Sequence, residues 1–277
     1  MTMPDLSNSM YVARLRYIQS VHEFDGCRNP DWLVHRFFSP LERLKTAWMR
    51  PSALSNLRSD PFYYYLIART IYYDVVFQEA IDRGVRRIIG VGCGSDTRAF
   101  RFSDLLQKNA VSVMECDQQE SVIAKQRIVR RWDDSDHVDF MSIDLNDGRW
   151  PALERTLENS DRAQTLVIME GVSPYVDFHC FVQFLALLGR RLASGSLLAY
   201  DFKLSEVNDE FGLSNRTERP FRLPWVVEEI TSLHEPLGFK LERMELSSNL
   251  SIRMLSASSC LATSLFKEDG LLLLVRV

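Results

Sequence analysis

Two hydrophobic patterns divide the chain. In the first part, apolar residues recur at helical spacing. The segment LSNSMYVARLRYIQS follows a Ser/Asn cap signal, and a long segment beginning at Pro61 ends at Gly84, a residue suited to a helix C-terminus. Another helix is expected through WLVHRFF, with Pro40 interrupting or restarting it. Residues 1–84 are therefore predicted to form a helical N-terminal extension, or lid, packed on a core.

In the second part, short apolar runs rich in β-branched residues alternate with longer helical stretches. This alternation predicts βαβ units and a mostly parallel sheet covered on both faces. The last two runs come close together, so an antiparallel hairpin is expected at the sheet edge. The predicted strands are 86–92, 111–117, 137–144, 165–170, 196–202, 239–246 and 270–277, and the predicted helices are 117–132, 150–159, 178–193 and 224–237.

The predicted fold class is thus α/β, with a doubly wound and mostly parallel sheet, an antiparallel C-terminal edge and a helical N-terminal extension. Residues 85–277 are predicted to form the core, with an insertion around 203–223. No internal repeat or Pro/Gly-rich linker divides the chain, so one structural domain is expected overall.

Composition narrows the class of protein. The 277 residues are 46% hydrophobic and 25% charged, with a net charge of −4 and scattered basic residues, a pattern that disfavours nucleic acid as a partner. No apolar run approaches the roughly 18 residues that span a membrane, so no membrane partner is expected. The five cysteines contain no CxxC pair, which predicts no disulfide framework and no metal site. The start of the chain lacks a signal-peptide core, and a cytoplasmic protein is expected.

The strand predicted at 86–92 runs into the turn Gly92-Cys93-Gly94-Ser95-Asp96. Glycine at this turn allows a cofactor to approach the backbone closely, although a lone GxG fits an ordinary strand-to-helix turn equally well. A dinucleotide fingerprint would place a third glycine where Thr97 stands, and no P-loop lysine follows. The turn therefore favours a cofactor that carries a sulfonium and an amino acid over an NAD-type cofactor.

Carboxylates follow three of the predicted strands. Asp117 ends the second strand at the distance expected for a ribose-binding acid, and Glu115 precedes it. Asp144 ends the third strand, where it could accept from an adenine amino group while Leu145 packs on the ring. Glu170 ends the fourth strand. Because parallel strands end at one edge of a sheet, these acids are expected along one rim, where α/β folds bind ligands.

Taken in order, these segments resemble the leucine carboxyl methyltransferase family, and most closely its bacterial branch, which includes O-methyltransferases of polyketide biosynthesis. The similarity covers nearly the whole chain, and GCGSDTRAFR is its most specific part because it joins the glycine turn to Asp-Thr-Arg. The other matching segments are SMYVARLRYIQS, ARTIYYDVVFQEAI, MECDQQESVIAKQRIV, SIDL, VIMEGVSPYVD and ERPFRLPWVVEEITSLHEPLGF. The resemblance implies a Rossmann-like class I methyltransferase that uses S-adenosyl-L-methionine.

The resemblance also implies roles for individual residues. Arg69 matches the arginine that grips the methionine carboxylate, a pairing that guanidinium geometry suits. Glu170 matches an acid beside the cofactor's amino end. In place of the family's usual proline after Asp117 stand Gln118 and Gln119, which leaves the course of that loop open. The implied cofactor contacts are Arg69, Gly92, Gly94, Asp96, Asp117, Asp144, Leu145 and Glu170.

No catalytic base is fixed by the sequence. Methyl transfer from a sulfonium needs no acid for the leaving group, so positioning should supply most of the catalysis. A carboxylate acceptor needs no base, whereas a phenol with a pKa near 10 would benefit from one. The candidates are His22 and His35 in the N-terminal extension, and Tyr175 and Asp201 near strand ends. For the two histidines, an uninvolved packing or surface role is also open.

The predicted function is S-adenosyl-L-methionine-dependent O-methylation of a carboxyl or hydroxyl group on a small-molecule secondary metabolite. A free acceptor and an acceptor tethered to a carrier protein are both open. The enzymatic alternative is carboxyl methylation of a protein's C-terminal leucine. A non-catalytic relative that kept the cofactor fold is the alternative from another class. The motifs identify neither the acceptor nor the oligomeric state.

Overall fold

A computed structural model of the chain describes residues 6–132, 137–158, 163–207, 219–255 and 265–277. Within these residues the centre of the molecule is one sheet. Its strands are β1 (Arg87–Val91), β2 (Ser112–Asp117), β3 (Val138–Ser142), β4 (Thr165–Met169), β5 (Leu197–Leu204), β6 (Arg222–Leu223), β7 (Phe239–Leu246) and β8 (Asp269–Arg276).

Helices precede and separate these strands. They are α1 (Leu6–His22), α2 (Pro40–Ala47), α3 (Pro51–Arg58), α4 (Pro61–Asp82), α5 (Arg98–Arg101), α6 (Ser103–Lys108), α7 (Gln119–Val129), α8 (Pro151–Glu158), α9 (Phe178–Arg191), α10 (Val227–His234) and α11 (Ser247–Leu255). Short 3₁₀ helices lie at Trp32–Phe37, Leu145–Asp147, Ser173–Tyr175 and Glu235–Leu237.

The strand order is β3-β2-β1-β4-β5-β8-β7, and β6 pairs with β5. Strands β1 to β5 pair in parallel, while β8 is antiparallel to both β5 and β7. This arrangement confirms the predicted α/β class, with its doubly wound, mostly parallel sheet and antiparallel C-terminal edge. Of the predicted insertion around 203–223, residues 208–218 lie outside the described part of the chain.

The last two predicted strands pair antiparallel at the sheet edge, as expected, but no tight hairpin turn joins them. The nine-residue helix α11 follows β7 directly, and β8 then enters the sheet between β5 and β7, so that β7 is the edge strand. Two other differences are local. The segment Trp32–Phe37 is a 3₁₀ helix, and the short helices α5 and α6 lie after the glycine turn, where no helix was predicted because their periodicity is too brief to recognise.

The sheet is covered on both faces, as its alternating side chains require. In β1, Ile88 packs with residues of α4 and α11, whereas Ile89 packs on the other face with residues of α9. Helix α4 is apolar around most of its circumference, and 14 of its 22 residues are buried, as expected for a core helix. It therefore fixes the N-terminal helices to the sheet.

The cysteines differ in state. Although their spacing predicts no disulfide framework, Cys27 takes part in a disulfide, and Cys93, Cys116 and Cys180 are free thiols.

Across the described ranges, every helix is too short or too polar to cross a membrane.

Candidate cofactor-binding site

The glycine turn after β1 has backbone that favours glycine. Gly92 has φ +67° and Gly94 has φ +37°, a region that L side chains rarely adopt. A Cβ at Gly92 would collide with the Val172 side chain, and one at Gly94 would lie 2.6 Å from Ser9 Oγ of α1. Both glycines are thus required by neighbouring protein as well as by the turn, and α1 lies directly on the turn.

Asp117, at the end of β2, closes this turn. Its Oδ2 accepts from the Gly94 amide at 2.8 Å, and its Oδ1 accepts from the Gln118 amide at 2.7 Å. Burial raises the pKa of this carboxyl. The structure therefore places Asp117 beside the glycine turn, where the sequence predicted a ribose-binding acid.

Glu115, the alternative to Asp117, has another partner. It is buried and pairs with Lys125 of α7 at 2.7 Å, and Lys125 also donates to the Cys93 carbonyl at 3.3 Å. Burial raises the pKa of Glu115 to about 7. Lys125 thus connects Glu115 to the backbone of the glycine turn. Because Glu115 already has this buried partner, Asp117 is favoured over Glu115 as the acid that faces a ligand.

Asp144 contacts the loop after β2 through Gln118. Gln118 Nε2 donates to Asp144 Oδ2 at 3.2 Å, while Asp144 Oδ1 accepts from the Asn146 amide at 2.9 Å and caps a 3₁₀ turn. Leu145 is buried. Gln118 has φ −59°, which lies in the range of proline. The loop that lacks the usual proline therefore keeps a proline-like backbone. Gln118 also joins two acids, because its backbone amide donates to Asp117 and its side chain donates to Asp144.

Arginines and acids from four parts of the chain meet at the ends of β4 and β5. Arg69 Nε donates to Glu170 Oε1 at 3.1 Å, and Arg69 Nη1 donates to Asp201 Oδ2 at 3.1 Å. Arg98 Nη1 donates to Glu170 Oε2 at 2.8 Å and to Asp96 Oδ2 at 2.8 Å. Nearby charges from Arg98 keep the pKa of Asp96 below its ordinary value, although burial opposes them. The predicted contacts Arg69, Asp96 and Glu170 thus form one cluster.

Arg69 keeps donors for a ligand. A guanidinium has five N–H groups, and within the described residues the hydrogen bonds of Arg69 use Nε and Nη1. Its Nη2 and Nη1 lie 3.7 and 3.8 Å from where a Cβ of Gly171 would stand, so the guanidinium packs over this glycine. Because Nη2 makes no hydrogen bond within the described residues, it can still bind a carboxylate.

Both carboxylate oxygens of Asp201 accept hydrogen bonds. Its Oδ1 accepts from the Gly171 amide at 2.7 Å, and its Oδ2 pairs with Arg69. Burial raises the pKa of Asp201 to about 7. A carboxyl with this pKa suits proton transfer, but its two hydrogen bonds indicate that it orients Arg69 and the β4 loop.

The other three candidate bases lie elsewhere. His22 Nε2 is 2.7 Å from the Thr46 carbonyl, and His35 Nδ1 is 2.7 Å from the Trp32 carbonyl, contacts that tie each ring within the N-terminal segment. Tyr175 lies in the 3₁₀ helix after β4, and its carbonyl accepts from Asn146 at 3.0 Å. The structure does not bring these three residues together, and their catalytic role stays a prediction.

Sequence reasoning missed four residues that organise the site. Arg98 stands in the recognised GCGSDTRAFR segment, so its motif position was the available signal. Asp74, which accepts from Arg98 Nε at 2.8 Å, lies one helical turn and one residue beyond Arg69 in α4. Lys125 and Asp31 gave no comparable signal, since a lysine in an amphipathic helix and an aspartate before a helix are ordinary surface features.

The family model of leucine carboxyl methyltransferase matches residues 30–185 of the chain. A protein of Mycolicibacterium smegmatis, named as a candidate S-adenosyl-L-methionine-dependent methyltransferase, is 30% identical over 149 residues, which are 53% of this chain and 47% of that protein. A protein of Frankia alni with the same description is 25% identical over 138 residues, 50% of this chain and 48% of the relative. The chain spans about half the length of the curated relatives it matches.

Two solved structures are also similar to the chain. Magnesium protoporphyrin IX methyltransferase of Synechocystis, with bound S-adenosylhomocysteine, aligns with a TM-score of 0.47 and 14% identity over 82% of this chain and 94% of that one. Human N-acetylserotonin methyltransferase, in complex with S-adenosylmethionine, aligns with a TM-score of 0.46 and 12% identity over 98% of this chain and 65% of that one.

Proposed function

The chain belongs to the leucine carboxyl methyltransferase family, and on this basis we propose that it is an S-adenosyl-L-methionine-dependent O-methyltransferase whose acceptor is a carboxyl or hydroxyl group of a small molecule. The family match carries the proposal, because it includes the glycine turn and the ends of β2, β3 and β4. The names of the bacterial relatives support the same cofactor and methyl transfer in general.

The donor set of the rim fits this cofactor. Asp117 and Asp144 are carboxylates that accept from hydroxyl and amino groups, as a ribose and an adenine would require. Arg69 offers Nη2 to a carboxylate, and Glu170 offers an anionic neighbour to an ammonium. The rim contains no lysine-and-glycine arrangement for phosphates within the described residues, which agrees with a cofactor that carries an amino acid instead.

S-adenosyl-L-methionine supplies an electrophilic methyl group on a sulfonium. The role of the protein is to hold that group and the acceptor oxygen in line, since correct positioning can supply much of the rate enhancement in such a displacement. The Arg69–Glu170–Arg98 cluster would hold the amino acid end, since each member of the cluster has at least two partners. The glycine turn with Asp117 would hold the nucleoside end.

A carboxyl acceptor fits this site best without further groups. Such an acceptor is already anionic near neutral pH and needs no base. A hydroxyl acceptor would need a base, and Asp201 is a buried carboxyl in contact with Arg69 of the cluster. The acceptor is proposed to be a small metabolite, either free or tethered to a carrier protein, and the protein is proposed to act in the cytoplasm.

Methyl transfer is tested with methyl-labelled cofactor, purified protein and an extract that contains small metabolites. The proposal expects label in a small product, and alkaline treatment separates a labile ester from a stable ether. The matched control is Glu170→Gln, which keeps the shape of the side chain but removes the charge between the two arginines. Binding of the cofactor without transfer to any acceptor would favour the non-catalytic alternative.

The family's name raises a second candidate, carboxyl methylation of a protein's C-terminal leucine. A synthetic peptide that ends in leucine, assayed beside its C-terminal amide, tests it. Label on the free acid alone would replace the small-molecule proposal by this one.

A further inference from the structure

Helix α1 contacts the glycine turn (Gly92–Asp96) through two residues, Ser9 and Arg16. Ser9 occupies the space beside Gly94, and its Oγ lies 3.5 Å from Ser95 Oγ. Two turns along the same helix, Arg16 Nη2 donates to the Ser95 carbonyl at 3.0 Å. Arg16 is 7% exposed, so this contact is buried. A residue 79 positions away in the chain therefore holds the backbone of the turn.

Asp31 joins α1 to the residue after this turn. Its Oδ2 accepts from Arg16 Nη1 at 2.7 Å, and its Oδ1 accepts from Thr97 Oγ1 at 2.5 Å. The same Oδ1 accepts from the Val34 amide at 3.1 Å and caps a 3₁₀ helix. Asp31 is fully buried. The Asp31 carboxylate thus links α1, the segment after α1 and the residue that follows the glycine turn.

Thr97 completes the link from the side of the turn. It is fully buried, and its Oγ1 also accepts from Arg101 Nε at 3.0 Å. Arg101 in turn pairs with Asp74 at 2.7 Å, and Asp74 pairs with Arg98 of the acid–arginine cluster. Thr97 stands at the position where a dinucleotide fingerprint has glycine. Its hydroxyl therefore connects Asp31 to Arg101.

We infer that Asp31 is a positioning residue for the cofactor: through Thr97 and Arg16 it holds the glycine turn in the shape that binds the nucleoside end, so that α1 and the turn act as one unit. The inference rests on the proposed function. Hydrogen bonds to a buried charge are among the stronger ones in proteins, and they fix geometry as well as adding stability. The turn has no side chains at Gly92 or Gly94 with which to anchor itself, so its anchor must come from elsewhere.

The test compares variants that differ in one hydrogen bond. Thr97→Val removes the hydroxyl and keeps the shape of the side chain, whereas Thr97→Ser keeps the hydroxyl. Asp31→Asn weakens both links of Asp31. Arg16→Gln is paired with Arg14→Gln, because Arg14 lies on the same helix and pairs with Glu42 at the exposed surface. All variants are first checked for folding by circular dichroism and thermal unfolding.

Two readouts separate positioning from stability. The first is the Kd for S-adenosyl-L-methionine by calorimetry at a temperature where every variant is folded. Thr97→Val and Arg16→Gln are expected to raise Kd by about tenfold or more, the usual effect of losing a hydrogen bond to a charged group, while Thr97→Ser and Arg14→Gln stay within about twofold of wild type. The second is amide hydrogen exchange of Gly94–Asp96 without cofactor, which is expected to quicken in the same two variants.

The outcomes are distinct. Wild-type Kd and wild-type exchange in folded Thr97→Val would overturn the inference while leaving the proposed function intact. If wild type itself binds no cofactor, the proposed function fails and the inference fails with it. Unchanged exchange in both Thr97→Val and Arg16→Gln would show in addition that these contacts do not hold the glycine turn. Should Asp31→Asn fail to fold, the Thr97 pair decides alone.

Discussion

Arg69 and Glu170 are hydrogen-bonded, Nε to Oε1, at 3.1 Å although 101 residues separate them in the chain. Glu170 is bound on its other oxygen by Arg98, so the acid lies between two guanidinium groups. This relationship joins the core helix α4, the glycine turn and the end of β4. Contacts within the fold therefore hold the side chains at which we propose that the amino acid end of the cofactor binds.

Replacing Arg69 by glutamine is expected to weaken cofactor binding and to destabilise the fold. The variant removes Nη2 from the ligand and leaves Glu170 and Asp201 with one partner fewer in a buried site. Breaking a buried ion pair on one side costs about 3–5 kcal/mol. Calorimetry and urea unfolding measure the two effects. Arg83→Gln is the control, because Arg83 pairs with Glu242 at the surface; equal Kd values for both variants would contradict the assignment of Arg69.

Asp117→Asn is expected to raise the Kd for the cofactor by about tenfold or more, since an amide accepts hydrogen bonds less strongly than a carboxylate and would present its NH₂ group to the Gly94 or Gln118 amide. The control is Asp139→Asn on the neighbouring strand β3, where the side chain is exposed. Titration with S-adenosylhomocysteine provides the comparison without turnover. An unchanged Kd in Asp117→Asn would remove this residue from the site.

The stability of the protein is expected to depend on pH through Asp201. Burial raises the pKa of this carboxyl from 3.8 to about 7, so between these values the folded state holds a proton that the unfolded chain has lost. The contribution of Asp201 is therefore complete below pH 3.8 and is lost as pH rises through 7.

The variant Asp201→Asn has no side chain that titrates at this position. The unfolding free energy of wild type minus that of the variant should fall as pH rises from 5 to 7, by up to about 1.4 kcal/mol per pH unit. Urea unfolding at several pH values gives this difference, in which groups common to both proteins cancel. A difference that is constant over this range would show that Asp201 stays ionised.

Lys125→Met is expected to destabilise the protein by about 3–5 kcal/mol, because it leaves Glu115 buried without its partner. Adding Glu115→Gln to the same chain should recover part of this loss, since residue 115 then carries no charge that lacks a partner. Lys108→Met, at an exposed position of α6, serves as the control in the same denaturation experiments. If the double variant is no more stable than Lys125→Met, the pair is not what links β2 to α7.

Periodicity was sufficient to predict the sheet and its fold class, because β-branched runs alternate with amphipathic helices over most of the chain. It failed where elements are brief or where order in the chain differs from order in space. Helices α5 and α6 have only 4 and 6 residues, too few to show a period. The insertion of β8 beside β5 depends on long-range pairing, which two neighbouring apolar runs do not reveal.

The site shows the same division. Acids at strand ends could be predicted, since parallel strands end on one rim, and the structure places Asp117 and Asp144 within reach of one Gln118 side chain and backbone. The partners of these acids could not be predicted. Asp31 lies outside the quoted motifs, and its role follows from its burial and from its contact with Thr97.

Cofactor binding is measured by a calorimetric titration of the full chain with S-adenosyl-L-methionine, with NAD as a comparison ligand. One S-adenosyl-L-methionine should bind per chain with saturation, NAD should not bind, and the affinity for S-adenosyl-L-methionine should be weaker in Asp117→Asn and Arg69→Gln. No heat of binding at millimolar S-adenosyl-L-methionine, from protein shown to be folded, would contradict the assignment of this cofactor.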